Sequence, residues 1–242
     1  IEFVILLLIL IYIYIYMKFD SIINAKEIYL YAGDLKQWNC VPVQQRFRLT
    51  NKNWIGLTLP KYGKNGYGTE DNNHILFDIT KKMPLNDNTV DIYQSEDVHE
   101  HLEYEILKDQ INEVYRCLKK GGLFRLSMPD YNCDILYNRT RKDEDGKLIF
   151  DIGGGGYYDE KEKKVKDNGH VWFPTYENVK TLLQSTNFSN DKINFLHYYD
   201  ENKNPVTNRI DYSLGYIYRT PDNDSRVKQP YRPMSIVVDC YK

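Results

Sequence analysis

Cysteine is scarce and scattered in this chain of 242 residues. Its 4 Cys, at positions Cys40, Cys117, Cys133 and Cys240, include no close pair, so neither a zinc knuckle nor a redox Cys-x-x-Cys can form and reduced thiols are expected. Charge of one sign is lacking too. The 32 Lys and Arg stand against 34 Asp and Glu, a formal net charge of -2. The lysine-rich stretches Lys61 to Lys64, Lys142 to Lys147 and Lys161 to Lys166 are interleaved with acids or fall in expected loops, so no continuous basic face for nucleic acid is evident. Internal repeats are absent. With 42% hydrophobic and 27% charged residues, the composition excludes a collagen, a disordered tail and a disulfide-dense mini-protein and fits one globular domain.

What stands in excess is tyrosine, at 22 residues, and apolar sequence at the start. Phe3 to Met17 carries no charge, but crossing about 30 Å of hydrocarbon as a helix takes about 20 residues. A signal peptide would need a basic leading region and a small-residue cleavage site, and this segment has neither. Ile11-Tyr12-Ile13-Tyr14-Ile15-Tyr16 is a dipeptide repeat, and Ile and Tyr codons can consist of A and T alone. Residues 1–16 are therefore expected to be read-through ahead of a start at Met17, the alternatives being a short membrane anchor or a buried strand. Membrane attachment is expected only if that segment is genuine, with Lys18 and Lys26 favouring the cytoplasmic side. Otherwise a cytoplasmic protein is expected.

From Lys26 onward short apolar runs alternate with amphipathic stretches, which predicts an α/β fold built on a parallel sheet. The runs are Ile28 to Ala32, Trp54 to Leu59, His74 to Ile79, Val90 to Ser95, Leu123 to Met128, Ile193 to Tyr199 and Ser235 to Tyr241. Between them, Glu103 to Lys120 places Leu107, Ile111, Val114 and Leu118 on one helical face, with acids at its start and Lys119-Lys120-Gly121 as its end. A second helix is predicted from Pro174-Thr175, burying Val179, Leu182, Leu183 and Thr186. Two long segments break the pattern. One, 151–170, holds the four-glycine run Gly153 to Gly156 and predicts a mobile loop, either a lid or an insertion. The other, 200–233, is polar and marked by prolines, and is expected to pack as an irregular cover.

Ligands of open α/β sheets lie beyond the carboxyl ends of the strands. After the first run come Ala32, Gly33 and Asp34, where a glycine permits close backbone approach to a nucleoside. After the third come Asp78 and Ile79; the Asp can accept from an adenine amino group or cap the next turn. After the fourth stands Ser95-Glu96-Asp97-Val98-His99-Glu100-His101, the densest titratable group in the chain. Metal ligation needs convergent geometry that linear spacing does not show, so no metal is assigned. Asp130 and Tyr131 follow the fifth run, and His170 lies between the glycine loop and Val171-Trp172-Phe173. His99, His101 and His170 are the candidate proton-transfer groups.

The ordered set Phe77-Asp78-Ile79, Met83-Pro84-Leu85, Ser95-Glu96-Asp97-Val98-His99-Glu100-His101-Leu102, Arg116-Cys117-Leu118-Lys119-Lys120-Gly121-Gly122 and Arg125-Leu126-Ser127-Met128-Pro129-Asp130 resembles the S-adenosylmethionine-dependent class I methyltransferases of the type 11 kind. The match is close from Ile75 to Asp130 and looser at Gly169 to Phe173 and the final strand. The resemblance implies a Rossmann-like three-layer sandwich with helices on both faces of a seven-stranded, mostly parallel sheet whose last strand is antiparallel. It implies S-adenosylmethionine as cofactor, held by Ala32, Gly33 and Asp34, with Asp78 and Ile79 at the adenine and Glu96 and Asp97 at the methionine side. The second strand ends Gly56-Leu57-Thr58 without the acid that usually takes the ribose hydroxyls, which leaves Asp34, Glu70 or Asp71 as substitutes. The expected activity is methyl transfer to a small-molecule, sugar or lipid acceptor. A non-catalytic binding protein of the same fold, with a degenerate cofactor site, is the alternative. The resemblance implies a domain already complete from about Met17 and running to Lys242, with residues 1–16 expected to be surplus to it.

Overall fold

All seven apolar runs become strands of one sheet, and the polar segment between the last two supplies an eighth. A computed structural model of the chain describes residues 2–33, 35, 52–59 and 74–242. The strands begin with β1 (Tyr29–Ala32), β2 (Trp54–Thr58), β3 (His74–Leu76), β4 (Val90–Glu96) and β5 (Leu118–Pro129). Two short hairpins outside the main sheet follow, β6 (Thr140–Lys142) with β7 (Leu148–Asp151) and β8 (Tyr157–Asp159) with β9 (Lys164–Lys166). The chain then returns to the sheet as β10 (Ile193–Tyr199), β11 (Pro205–Thr207) and β12 (Ser235–Tyr241). The spatial order of the sheet is β11-β10-β12-β5-β4-β1-β2-β3. Pairs among β1 to β5 are parallel. The last strand, β12, runs antiparallel between β5 and β10, as the resemblance implies. The fold is thus a Rossmann-like, mostly parallel sheet with helices, with eight strands instead of seven. The addition, β11, is a three-residue edge strand beginning at a proline, a residue that edges and strand starts tolerate.

Four α-helices are found among the described residues: α1 (Glu2–Ile23), α2 (Tyr104–Cys117), α3 (Asp134–Arg139) and α4 (Tyr176–Gln184). Alternation along the strands sends Leu30, Leu57, Phe124, Leu126 and Val238 to one face, where they form a single core with Leu107, Ile111 and Val114 of α2, Val179, Leu182 and Leu183 of α4, and Phe19 of α1. The helix expected to reach Lys120 ends at Cys117, because the chain enters β5 at Leu118. Gly121, expected as its cap, instead lies within β5 at φ +76, where β5 bulges against β4 and its N–H donates to Lys242 O (2.8 Å). The start of α4 is as read: Thr175 caps it in a reciprocal box with Asn178.

On the opposite face, Tyr29, Tyr31, Trp54, Ile92 and Leu123 make a second cluster. Polar residues of β4, β5 and β12 also point this way, and the 208–220 segment covers them with its own backbone. Gln94 Nε2 donates to Tyr216 O (2.6 Å), Tyr218 N–H donates to Glu96 Oε1 (2.7 Å), and Arg125 Nη1 donates to Asp211 O and Gly215 O (both 2.7 Å). Gly215 permits this approach, since a Cβ there would lie 2.1 Å from Gln94 Oε1. Among the described residues the helical core therefore lies on one face and this irregular cover on the other.

The N-terminal run is helical, not a strand, and α1 crosses positions 16 and 17 without a break. Phe19 is fully buried and meets the Phe77 ring edge-on, with centroids 5.3 Å apart. Ile15 packs against the same core, while Ile5, Leu6 and Leu10 are exposed. No helix among the described residues is long and apolar enough to cross a membrane.

Candidate functional site

The strand order reverses at β1, whose neighbours are β4 and β2, and such a reversal opens a crevice beyond the carboxyl ends of the strands. A cavity of about 360 Å³ occupies that place. Its wall is built from the ends of four strands: Gly33 after β1, Thr58 and Leu59 at β2, Asp78 and Ile79 after β3, and Asp97 and Val98 after β4, with His101 beyond. Gly33 has φ +115, a region costly to residues with a Cβ. Gly56 lets β2 pass close behind it, for a Cβ there would lie 2.9 Å from Gly33 O and 2.7 Å from the His74 ring. Asp97 also takes a left-handed φ, +55, and its carboxylate meets Arg219 Nε at 3.1 Å. Asp78 Oδ1 accepts from Thr80 N–H (3.0 Å) and Oγ1 (2.7 Å), so the residue caps its turn and lines the cavity at once.

Of the other expected site residues, Ala32 is buried in β1 behind Gly33. Glu96 faces away from the cavity toward the cover, where it accepts from Tyr218 N–H. Asp34, Glu70, Asp71 and Cys40 lie outside the described residues.

The three histidines part company. His99 is fully buried against the Phe124 ring. Gln110 Oε1 takes its Nε2 proton (2.7 Å) and Ser95 Oγ donates to its Nδ1 (2.8 Å). Burial pushes its pKa down to about 4, and this ring joins β4 to α2 without lining the cavity. His99→Ala is expected to cost about 2 kcal/mol of stability by stranding the Ser95 and Gln110 side chains, with cofactor affinity unchanged. A histidine depressed in the folded state contributes stability present above its unfolded pKa and lost as pH falls from about 6.5 toward 4. Thermal unfolding across that window should show a shallower acid loss in the variant.

His101 and His170 instead meet edge to face, ring centroids 4.6 Å apart. A 3-10 turn, His99–His101, follows β4 and sends His101 toward the cavity. Its Nδ1–H donates to Asn168 O (2.8 Å). His170 is brought across by its neighbours, since Val171 N–H donates to Glu100 O and Trp172 Nε1–H to His99 O (both 2.9 Å). Burial lowers the pKa of both rings, and the neighbouring His101 adds to the effect on His170, which falls to about 3. Both are therefore neutral near pH 7.

Behind them is a buried polar cluster to which Arg139, Asp151 and Arg219, given no site role from sequence, also belong. Tyr131 Oη donates to Asp151 Oδ2 (2.6 Å) and meets His170 Nδ1. Burial alone would raise the Asp151 pKa, but Arg139 and Tyr131 hydrogen bonds outweigh it and hold the carboxyl low. Glu100 is fully buried, and burial together with the Asp97 charge holds its carboxyl well above the usual range. Burial opposes the charge of Arg219, yet Asp97, Glu100 and Glu96 keep its pKa raised. Asp130, at the end of β5, accepts from Asn132 N–H and Tyr199 N–H (both 3.0 Å), and burial pushes it up to about 7.

The glycine run is packed, not loose: a Cβ on Gly154 would sit 2.7 Å from the His170 ring and one on Gly153 2.7 Å from the Arg139 guanidinium. The β6–β7 and β8–β9 hairpins flank it on either side. Gly154, Gly155 and Asn168 thereby close one side of the cavity.

Residues 57–126 match the family described as "Methyltransferase domain". The resemblance read between Ile75 and Asp130 is borne out over the shared stretch, which carries half of the cavity wall. No curated protein matches the chain significantly in sequence. Similar solved structures include a SAM-dependent methyltransferase from Archaeoglobus fulgidus, 14% identical over 93% of this chain and 90% of that one, with a TM-score of 0.49. Another is a SAM-dependent methyltransferase from Thermotoga maritima described as a possible histamine N-methyltransferase, 15% identical over 96% of this chain and 91% of that one, with a TM-score of 0.48.

Proposed function

We propose that this chain, whose residues 57–126 match a methyltransferase domain, is an S-adenosylmethionine-dependent methyltransferase acting on a small-molecule, sugar or lipid acceptor. The observation that carries this reading is the cavity at the ends of β1 to β4, large enough for a nucleoside-sized ligand. Glycine at φ +115 opens the backbone on one side, and Asp78 and Asp97 line the other. These residues fit the cofactor: an acceptor for an amino group on the β3 side, acidic charge near its cationic end, and apolar Leu57, Phe77 and Val98 between.

The bound cofactor supplies an electrophilic methyl on a sulfonium. The protein's share is to hold a nucleophile in line with it and to exclude water. Asp97 borders the cavity with its carboxylate held against Arg219 at 3.1 Å. His101 borders the cavity as a neutral ring whose Nδ1 proton is committed to Asn168 O, so its Nε2 lone pair is able to take a proton from an acceptor hydroxyl or amine. Gly154, Gly155 and Asn168 would contact that acceptor, and sequence alone does not read such loop contacts.

Calorimetric titration tests the reading. S-Adenosylmethionine and its demethylated product are expected to bind one per chain in the micromolar range. Absence of heat at millimolar cofactor would reject the enzyme reading and favour a non-catalytic binding protein of the same fold.

A further inference from the structure

We propose that Glu100, His101 and His170 form a site for one divalent metal ion that takes nitrogen and oxygen ligands, zinc being the type case, beside the cofactor cavity. The observations behind it do not use the methyl-transfer reading, and with an ion bound His101 Nε2 is a ligand in place of the proton acceptor described above. His170 Nε2 lies 3.7 Å and His101 Nε2 4.0 Å from Glu100 Oε1. With metal–ligand bonds of about 2.0 to 2.2 Å, ligand atoms of a tetrahedral or trigonal site lie roughly 3.3 to 3.8 Å apart; both imidazole–carboxyl distances are near that spacing, and the three ligand atoms all lie within 4.8 Å of one another.

The hydrogen bonds fix which atoms face inward. Asn168 O can only accept, so His101 carries its proton on Nδ1 (2.8 Å) and turns an unprotonated Nε2 toward Glu100. Tyr131 gives its one proton to Asp151 (2.6 Å), so His170 Nδ1–H donates to Tyr131 Oη and its Nε2 also points at Glu100 bare. Two imidazole lone pairs and a carboxyl group thus converge. A protonated Glu100 does not resolve this, because 3.7 Å is too long for a hydrogen bond to His170. Both Glu100 oxygens are buried and have no hydrogen-bond partner in another of the described residues, a costly state that a cation relieves.

The surroundings match a metal site beyond its ligands. Each histidine donates its far N–H to an acceptor, a backbone carbonyl for His101 and the Tyr131–Asp151 pair for His170, the arrangement that orients metal-bound imidazoles. Charge agrees. When ionised, Glu96, Asp97, Glu100 and Asp151 exceed the Arg139 and Arg219 guanidiniums by two negative charges, which one divalent cation balances. Arg219 is held by the Asp97 carboxylate at 3.1 Å, which offsets its repulsion of an ion. Because His101 also borders the cavity, the site adjoins it.

The experiment uses the full chain, stripped with a chelator and titrated with Co2+ and then Zn2+. Expected is a visible Co2+ absorption band that saturates at one ion per chain and is bleached by Zn2+. Glu100→Gln and His101→Gln should each weaken Co2+ binding by about 100-fold, while Asp109→Asn, an exposed acid on α2, should leave it unchanged. Without metal, Glu100→Gln should melt at or above the wild-type temperature, since it removes a buried unpartnered carboxyl; that result shows the variant is folded. No band at millimolar Co2+, or an equal band in folded Glu100→Gln, overturns the proposal. Cofactor titration of the stripped protein reads the methyltransferase proposal separately.

Discussion

Replacing Arg125 by methionine is expected to destabilise the protein by about 3 to 5 kcal/mol, the cost of removing one member of a buried ion pair. Arg125 is fully buried in β5, directly opposite Asp239 in the register with β12. Its Nε and Nη2 donate to the two Asp239 oxygens, both at 2.7 Å, and Nη1 holds the carbonyls of Asp211 and Gly215. One side chain thus stitches a strand pair to the cover over the second face. Methionine fills much of the volume but leaves the Asp239 carboxylate and two carbonyls without donors. At roughly 2 to 4 °C per kcal/mol for a chain of this size, the midpoint should fall by about 10 °C in a thermal melt. The double variant Arg125→Met, Asp239→Leu should recover part of the loss, because it removes the stranded charge as well. A melt unchanged in the single variant would show that this pair does not hold the cover.

The second large effect is on cofactor binding. Gly33→Val is expected to weaken binding of S-adenosylhomocysteine at least 30-fold, about 2 kcal/mol. At φ +115 any side chain costs roughly 1 to 2 kcal/mol, and a branched one adds methyl groups at the cavity wall. Gly33→Ala separates the two causes. A Cβ alone would sit at ordinary distances, 3.4 Å from Tyr31 and 3.6 Å from Val98, so alanine should pay the backbone term only, a loss of about 5- to 10-fold. Calorimetry on both variants checks the order, and a Gly33→Val protein that binds as tightly as wild type would remove Gly33 from the site.

The legible parts of the fold were those carried by local pattern. β10 and β12 have the expected bounds, and the buried faces of α2 and α4 follow their apolar spacing, because periodicity and burial are two readings of one geometry. Four short strands carried no such signal: β11, β6, β8 and β9 draw their stability from pairing partners. Gly121 misled because a left-handed glycine serves a helix cap and a strand bulge equally well.

The site divides in the same way. Gly33, Asp78, Ile79, Asp97 and His101 converge because they follow parallel strands, whose carboxyl ends share one rim. His99 and Glu96 are near neighbours in sequence yet point elsewhere, one into the helical core and the other into the cover. Strand alternation and a single 3-10 turn separate them, and no linear spacing shows which of two close side chains is buried.

Sequence alone determined the class of fold, the rim at the strand ends and the methyltransferase resemblance, since each rests on short-range pattern or on motif order. Tertiary structure decided what gathers behind that rim. Glu100 meets His170 only because Val171 and Trp172 pin the later segment to the His99–His101 turn, and Tyr131 and Asp151 complete the cluster from two further segments. Such contacts join residues far apart in the chain, so burial and long-range packing select them, and neither is written in any one stretch of sequence.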